Sequence, residues 1–323
     1  MTQCLYIDRH GTRIGHVHGR LTLQAPEGEE QSLPSAQIEQ IIILGQTHFT
    51  HTAISGLLKS GIPVIFSSHH GGYRGSLTSS GGYQIQRRIA QYDAMRQSAD
   101  CVLLARELIK AKLRGHARLL QRWNLQPAKE ILTALMACRH CDELNALRGY
   151  EGLGARGFFA GLRTHLADSP FPFQERRRRP PPDPANALLS LGYTLLGNEI
   201  EVGLQACGLD PAGGFLHPPE NGRPTLIMDL VEPMRPLVDR FCARLLRNEL
   251  SPEDFEQQVE RCQLRDGQRG KVYRAWETLL DSQTRWRGES TTWRRLIHLQ
   301  PRELARWLDG QIQQPRFWYL DAP

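Results

Sequence analysis

The spacing of apolar residues changes once along this chain of 323 residues, at Gly81 and Gly82. Before these glycines, apolar and polar residues alternate in short runs such as RLTLQ, and the runs IEQIIILG and IPVIFSS are apolar enough for buried strands. After them, apolar residues recur at helical spacing towards the C-terminus. The sequence therefore predicts an α+β protein, with a small β-rich domain over residues 1–82 and a larger all-α domain over residues 83–323.

The chain is basic, with a formal net charge of +6 and a sequence pI of about 9.0. Arginine supplies the excess, and guanidinium groups suit bidentate contact with phosphate, so an anionic polymer is a candidate partner. A basic surface without such a partner would explain the charge equally well. The chain lacks a long apolar run and an N-terminal signal core, and its seven cysteines have no regular spacing. We therefore expect a cytoplasmic protein with reduced thiols and no membrane partner.

Acidic residues and a histidine are concentrated between residues 213 and 240, where glycines and prolines place His217 on a loop that leads into a helix. Asp229 and Glu232 are three residues apart on that helix and share a face. With His217 they could converge on a divalent cation. Taken alone, however, they fit slightly better as a capping box. Pro233 predicts a helix start close to Asp229, because proline is tolerated near helix starts.

Other candidate residues lie in the preceding helical segments. The pattern predicts one long basic helix from residue 84 to about residue 123, which carries Arg87 and Arg88. A later helix, from about Ala146, carries Glu151, for which a salt bridge with Arg156 is the simplest explanation in isolation.

The segment Phe171–Pro184, FPFQERRRRPPPDP, cannot be helical through its prolines and is predicted to be a linker. Its four consecutive arginines suit phosphate contact, although such runs are commonly solvated loops. The apolar helix that follows, over residues 186–204, is expected to pack behind the loop of His217.

Four motifs, in the same order along the chain, resemble those of the CRISPR-associated adaptation integrases, the endonuclease family written Cas1. They are LRGYEGLGAR (Leu147–Arg156), RRRRPPPDPANALLSLGYTLL (Arg176–Leu196), GFLH (Gly214–His217) and GRPTLIMDLVEPMRPLVDR (Gly222–Arg240). The N-terminal runs GIPVIFSS and YRGSL also resemble the β-domain of the family, so the likeness covers most of the chain.

The resemblance implies a site for Mg²⁺ or Mn²⁺ whose ligands are Glu151, His217 and Glu232, with Asp229 either supporting the site or binding the metal directly. Two carboxylates and one imidazole suit these cations, and histidine favours manganese. The chain departs from the family at Gly154, where alanine is frequent, and at Pro233, where a second acidic residue is common. Neither departure removes a ligand, so the resemblance favours the metal site over the helix cap.

The resemblance also implies a homodimer formed through the β-domain, assembly with the small protein Cas2 into a heterohexamer, and double-stranded DNA as substrate. The expected reaction inserts short DNA fragments into a CRISPR array by metal-dependent transesterification, and the same site would cut DNA with water as nucleophile. The candidate DNA-binding residues are Arg87, Arg88, Arg156, Arg163, Arg176, Arg177, Arg178 and Arg179.

Two alternatives stay open on the sequence. One is a DNA-binding scaffold without catalysis, whose acidic residues only cap helices. The other is a transposon-linked integrase of the same family. A zinc hydrolase acting on small substrates is disfavoured, because the chain contains no second histidine in an HExxH arrangement.

Overall fold

The computed structural model describes residues 3–28, 30–67, 73–79, 84–178, 180–259 and 261–320. The chain forms two compact units, Met1–Tyr83 and Gln84–Pro323. The first is rich in strands and the second in helices, which confirms the predicted α+β class. Gly81 and Gly82, predicted to mark the boundary, lie outside the described residues. None of the helices in these ranges is long and apolar enough to cross a membrane.

The described part of the N-terminal unit contains two four-stranded sheets and one α-helix. Its elements are β1 (Gln3–Ile7), β2 (Thr12–Val17), β3 (Arg20–Gln24), β4 (Gln31–Pro34), β5 (Ile38–Ile43), β6 (Thr47–Phe49), α1 (His51–Lys59), β7 (Val64–Ser67) and β8 (Tyr73–Leu77). One sheet has the order β1-β5-β7-β8, in which only β8 runs antiparallel to its neighbour. The other has the order β4-β3-β2-β6, with β6 parallel to β2. The strands β4 and β6 have four and three residues, too few for alternation to show in the sequence.

The core of this unit is built by the apolar runs that predicted buried strands. Ile41 and Ile43 of β5 are buried together with Ile14 and Leu21 from the other sheet. The helix α1 starts directly after Thr50, whose hydroxyl accepts a hydrogen bond from the amide of Ala53 at 3.1 Å.

The C-terminal unit is mainly helical. Its helices are α2 (Ile85–Arg96), α3 (Ser98–Arg122), α4 (Lys129–Cys138), α5 (Leu144–His165), α6 (Pro184–Cys207), α7 (Thr225–Asn248), α8 (Arg269–Asp281) and α9 (Trp293–Leu308). Two short hairpins accompany them, β9 (Phe255–Gln257) with β10 (Cys262–Leu264), and β11 (Gln283–Trp286) with β12 (Glu289–Thr292). These strands have three or four residues each, too few for the pattern to reveal them in a helical region.

Two predicted helices have different boundaries from those expected. The long basic helix is interrupted at Gln97, whose backbone is extended with φ −92° and ψ 113°, so α2 and α3 are separate helices. In the arginine-rich segment before α6, the described residues 171–178 and 180–183 are not helical, as predicted, and α6 begins with Asp183 as its cap. The carboxylate of Asp183 accepts a hydrogen bond from the amide of Asn186 at 2.8 Å.

The helix α7 begins at Thr225 rather than close to Asp229, so the capping box explanation of Asp229 and Glu232 is wrong. Both residues lie inside the helix, which continues through Pro233 and Pro236. Each proline lacks an N–H group, and the carbonyls that lose their helical donor are those of Asp229 and Glu232. Burial of α7 on most of its faces supplies the packing that keeps it helical despite both prolines.

The helices α3 and α7 approach each other closely at Gly115, and this approach predicts an effect on stability. A Cβ atom added at Gly115 would lie 2.7 Å from Cγ of Pro236, and the proline ring cannot rotate away. We expect Gly115→Ala to lower the free energy of unfolding by about 1–3 kcal/mol. Gly149→Ala is the matched control, because no heavy atom lies within 4 Å of its added Cβ. This control should stabilise the helix by about 0.5–1 kcal/mol. Equal effects of the two substitutions in urea unfolding would contradict the prediction.

Candidate active site

The loop that carries His217 is organised by the carboxylate of Asp229. One oxygen of this buried carboxylate accepts hydrogen bonds from the amides of Phe215 at 2.6 Å and Leu216 at 2.9 Å. The other oxygen accepts from the amide of His217 at 2.9 Å and contacts its ring Nδ1 at 2.7 Å. Asp229 therefore fixes both the backbone and the side chain of His217. Both oxygens are thus engaged in hydrogen bonds, through which Asp229 supports the loop of His217.

The contact with Asp229 also sets the tautomer of His217. An ionised carboxylate only accepts hydrogen bonds, so Nδ1 must carry the proton and donate it. In the neutral imidazole the other ring nitrogen, Nε2, then keeps its lone pair, and no hydrogen bond to it is found among the described residues. A histidine that donates through one nitrogen to a carboxylate is the usual arrangement of a metal ligand.

The same loop is tied to two helices besides α7. On α5, Arg148 donates from Nε to the carbonyl of Leu216 at 2.8 Å. On α2, the buried amide of Gln91 donates to the carbonyls of Asp210 and Gly213, each at 2.9 Å. Because Arg148 lies one turn before Glu151, the arginine links the position of His217 to the helix that carries the proposed glutamate ligand.

Glu151 and Glu232 converge on one buried cation, the ammonium of Lys112 on α3. Its Nζ donates to Glu232 Oε2 at 2.7 Å and also donates to Glu151 Oε1. The side chains of Lys112 and Glu232 are each 3% exposed, whereas that of Glu151 is 26% exposed. Glu151 thus forms its ion pair with Lys112 on α3 and not with Arg156 on its own helix, as the isolated sequence pattern suggested.

A second cation, Arg235, also neutralises Glu232. It lies three residues further along α7 and donates from Nε to Glu232 Oε2 at 2.8 Å. Burial alone would raise the pKa of Glu232, but the nearby charges of Arg235 and Lys112 outweigh burial and lower this pKa below its ordinary value. Glu232 is consequently ionised at neutral pH, as a metal ligand must be.

A buried polar network lies behind Arg235. The guanidinium stacks over the ring of Tyr193 at 4.3 Å from its centroid, and the Tyr193 hydroxyl donates to Oδ1 of Asp239. The other oxygen of Asp239 contacts Nε2 of His116 at 2.9 Å. Burial lowers the pKa of His116 despite the neighbouring Asp239 carboxylate. This network joins α3, α6 and α7 and holds Arg235 against Glu232.

The structure thus brings Glu151 and Glu232 together, and it places His217 on a loop anchored to the same helix as Glu232. Among the residues that the structure describes, no three His, Cys, Asp or Glu side chains already form a metal-binding group. The donor groups nevertheless fit a hard divalent cation. Two carboxylates, of Glu151 and Glu232, already meet at the Lys112 ammonium, and Asp229 orients the imidazole of His217. No role was predicted from the sequence for Lys112, Arg235, Arg148 and Gln91, although Arg148 and Arg235 lie inside two of the quoted motifs.

The arginines proposed to contact DNA differ in how they are held. Arg87 donates to Asp309 at 3.0 and 2.5 Å and to the carbonyl of Cys207, and Arg88 donates to the carbonyl of Gly208. Arg176 donates to Asn186 Oδ1 at 2.8 Å and to Ser190 Oγ at 2.9 Å. These three side chains hold parts of the C-terminal unit together.

The other candidate arginines are more available for a ligand. Arg177 is exposed and pairs with the exposed Glu175, and Arg178 is exposed. Arg156 and Arg163 are exposed on one face of α5, seven residues apart. Arg179 lies outside the described residues.

Comparison with known proteins identifies the relatives of this chain. A family described as CRISPR associated protein Cas1 matches residues 5–278. A CRISPR-associated endonuclease Cas1 of Thermus thermophilus is 32% identical over 319 residues, which cover 97% of this chain and 95% of the relative.

Solved structures share the fold at lower identity. A casposase bound to integration product has a TM-score of 0.86 and 24% identity, covering 100% of this chain and 95% of the casposase chain. A Cas6-RT-Cas1–Cas2 complex has a TM-score of 0.83 and 21% identity, covering 99% of this chain and 36% of the larger chain.

Proposed function

The chain belongs to the CRISPR-associated Cas1 family, and from this we propose that it is a metal-dependent DNA endonuclease and integrase. In this proposal it inserts short DNA fragments into a CRISPR array. The observation that carries the proposal is the convergence of Glu151 and Glu232 on one cation. In addition, Asp229 of the same helix as Glu232 holds His217 with Nδ1 as the donor, as in a metal ligand.

Glu151, His217 and Glu232 would hold Mg²⁺ or Mn²⁺, which when bound would polarise the phosphate and lower the pKa of the attacking hydroxyl. The protein's own residues prepare this site. Asp229 fixes the orientation of His217, and Arg235 keeps Glu232 ionised. Because His217 and Glu232 are held by these contacts with Asp229 and Arg235, the two side chains need little reorganisation when DNA binds.

The proposed partners follow from the relatives. One solved relative is a complex of Cas1 with Cas2, and another is a casposase bound to its integration product. We propose that this chain likewise acts on double-stranded DNA together with Cas2, as a homodimer within a heterohexamer and with its β-rich unit forming the dimer contact.

The proposal is tested by transfer of a labelled short duplex into a plasmid that carries a CRISPR repeat, with Cas2 and Mn²⁺ present. We expect joined product with Mn²⁺ and none with EDTA. DNA binding without joining, unaffected by the chelator, would contradict the proposal and support a non-catalytic scaffold. Equal joining into plasmids with and without the repeat would instead support a transposon-linked integrase.

The two groups of arginines give a prediction about DNA binding. Arg156→Ala and Arg163→Ala should each weaken binding of duplex DNA and reduce the slope of log affinity against log salt by about 1. Arg176→Ala should act mainly on stability, because Arg176 is bonded to Asn186 and Ser190. Filter-binding titrations over a range of salt concentrations, together with thermal melting, separate the two effects. If the dependence of affinity on salt concentration were unchanged in both α5 variants, Arg156 and Arg163 would not contact the DNA phosphates.

A further inference from the structure

Lys112 is a buried cation at the centre of the proposed metal site. Its ammonium donates to Glu151 and Glu232, from a side chain that is only 3% exposed. A buried ammonium is costly unless it is paired, and here the two carboxylates supply the pairing. The lysine therefore occupies the position between the two carboxylates that a shared divalent cation would need.

Of the two carboxylates that pair with Lys112, Glu232 does not depend on the lysine for a counter-ion. Glu232 has a second ion pair, with Arg235 at 2.8 Å, so it stays neutralised without the lysine. Glu151, within the described part of the chain, has Lys112 as its ion-pair partner and is partly exposed. If Lys112 moved away, Glu151 would lose its ion-pair partner and keep the longer-range attraction of Arg235, and a metal ion could replace the lysine.

We propose that Lys112 is an internal counter-ion that holds Glu151 and Glu232 together in the metal-free protein and is displaced by the divalent cation. The inference rests on the metal site of the proposed function. The ammonium of Lys112 and a divalent cation would repel each other between the same carboxylates. The two cations therefore compete for this position. The flexible four-carbon stem of lysine lets the ammonium move without a change in α3.

Binding of Mn²⁺ to the full chain, followed by electron paramagnetic resonance, tests this competition. We expect Lys112→Met to tighten the Mn²⁺ dissociation constant roughly tenfold, because a competing unit charge is removed. Lys110→Met is the matched control, since it removes the same charge from the same helix, where Lys110 pairs with Glu107 at 2.6 Å. This control should bind Mn²⁺ as the wild type does. Equal or weaker binding by Lys112→Met would overturn the inference.

A second measurement uses the wild-type chain and does not depend on the folding of a variant. Lysine labelling, read by mass spectrometry, should find Lys112 protected in EDTA and more reactive in saturating Mn²⁺, with Lys110 as internal reference. Unchanged labelling of Lys112 in a protein that binds Mn²⁺ would overturn this inference alone. If the wild type bound no Mn²⁺, the metal site of the proposed function would fall together with the inference.

Discussion

Replacing Asp229 with alanine is expected to lower the free energy of unfolding by about 3–5 kcal/mol and to reduce strand transfer at least about a hundredfold. Asp229 is completely buried and accepts three backbone N–H groups and the His217 ring. Its removal leaves these donors without an acceptor and releases the loop. The loss of activity should therefore come from the lost position of His217.

Denaturant unfolding and strand-transfer rates of the Asp229 variants check this expectation. Asp229→Asn keeps the volume of the side chain, but its NH₂ group cannot accept hydrogen bonds from the N–H donors of the loop. We therefore expect lower stability and slower strand transfer for this variant too. Glu220→Ala is the control on the same loop, because the Glu220 side chain is 58% exposed and pairs only locally with Arg223. If Asp229→Ala were as stable and as active as Glu220→Ala, the organising role of Asp229 would be wrong.

Substitution of Glu232 by glutamine should reduce metal-dependent strand transfer about a thousandfold, equivalent to about 4 kcal/mol of transition-state stabilisation. Glutamine keeps the shape of the side chain but loses the charge that a divalent cation requires. The fold should survive, because the amide oxygen can still accept from Arg235, and Lys112 retains Glu151.

Rates at several Mn²⁺ concentrations test this second prediction. Glu232→Asp keeps a carboxylate one methylene further from the site, so it should retain part of the activity and need more Mn²⁺. A Glu232→Gln protein that joined DNA at the wild-type rate would exclude Glu232 as a metal ligand.

The sequence predicted the elements that carry the site better than it predicted their contacts. The loop position of His217 and the helical positions of Glu151 and Glu232 followed from local composition and from family motifs. The cation between the carboxylates did not, because Lys112 lies 39 residues before Glu151 and 120 before Glu232. Contacts at such separations are set by the packing of α3 against α5 and α7, which no local pattern encodes.

The errors near Asp229 have the same physical origin. An acidic residue three positions before another, followed by a proline, is typical of a helix start. Here the helix starts four residues earlier, at Thr225, and its buried surroundings hold Pro233 and Pro236 in its interior. Tertiary packing thus outweighs the local preference for a helix start at Asp229. In this packing the Asp229 carboxylate accepts hydrogen bonds from a neighbouring loop instead of capping its own helix.

The most direct test of the central claim is strand transfer and DNA binding measured side by side for the wild type, Glu151→Ala, His217→Ala and Glu232→Ala, with Cas2 and Mn²⁺. All three variants should bind DNA as the wild type does, and none should join it to the repeat. Metal-dependent joining by any of the three would contradict a single metal site formed by these residues.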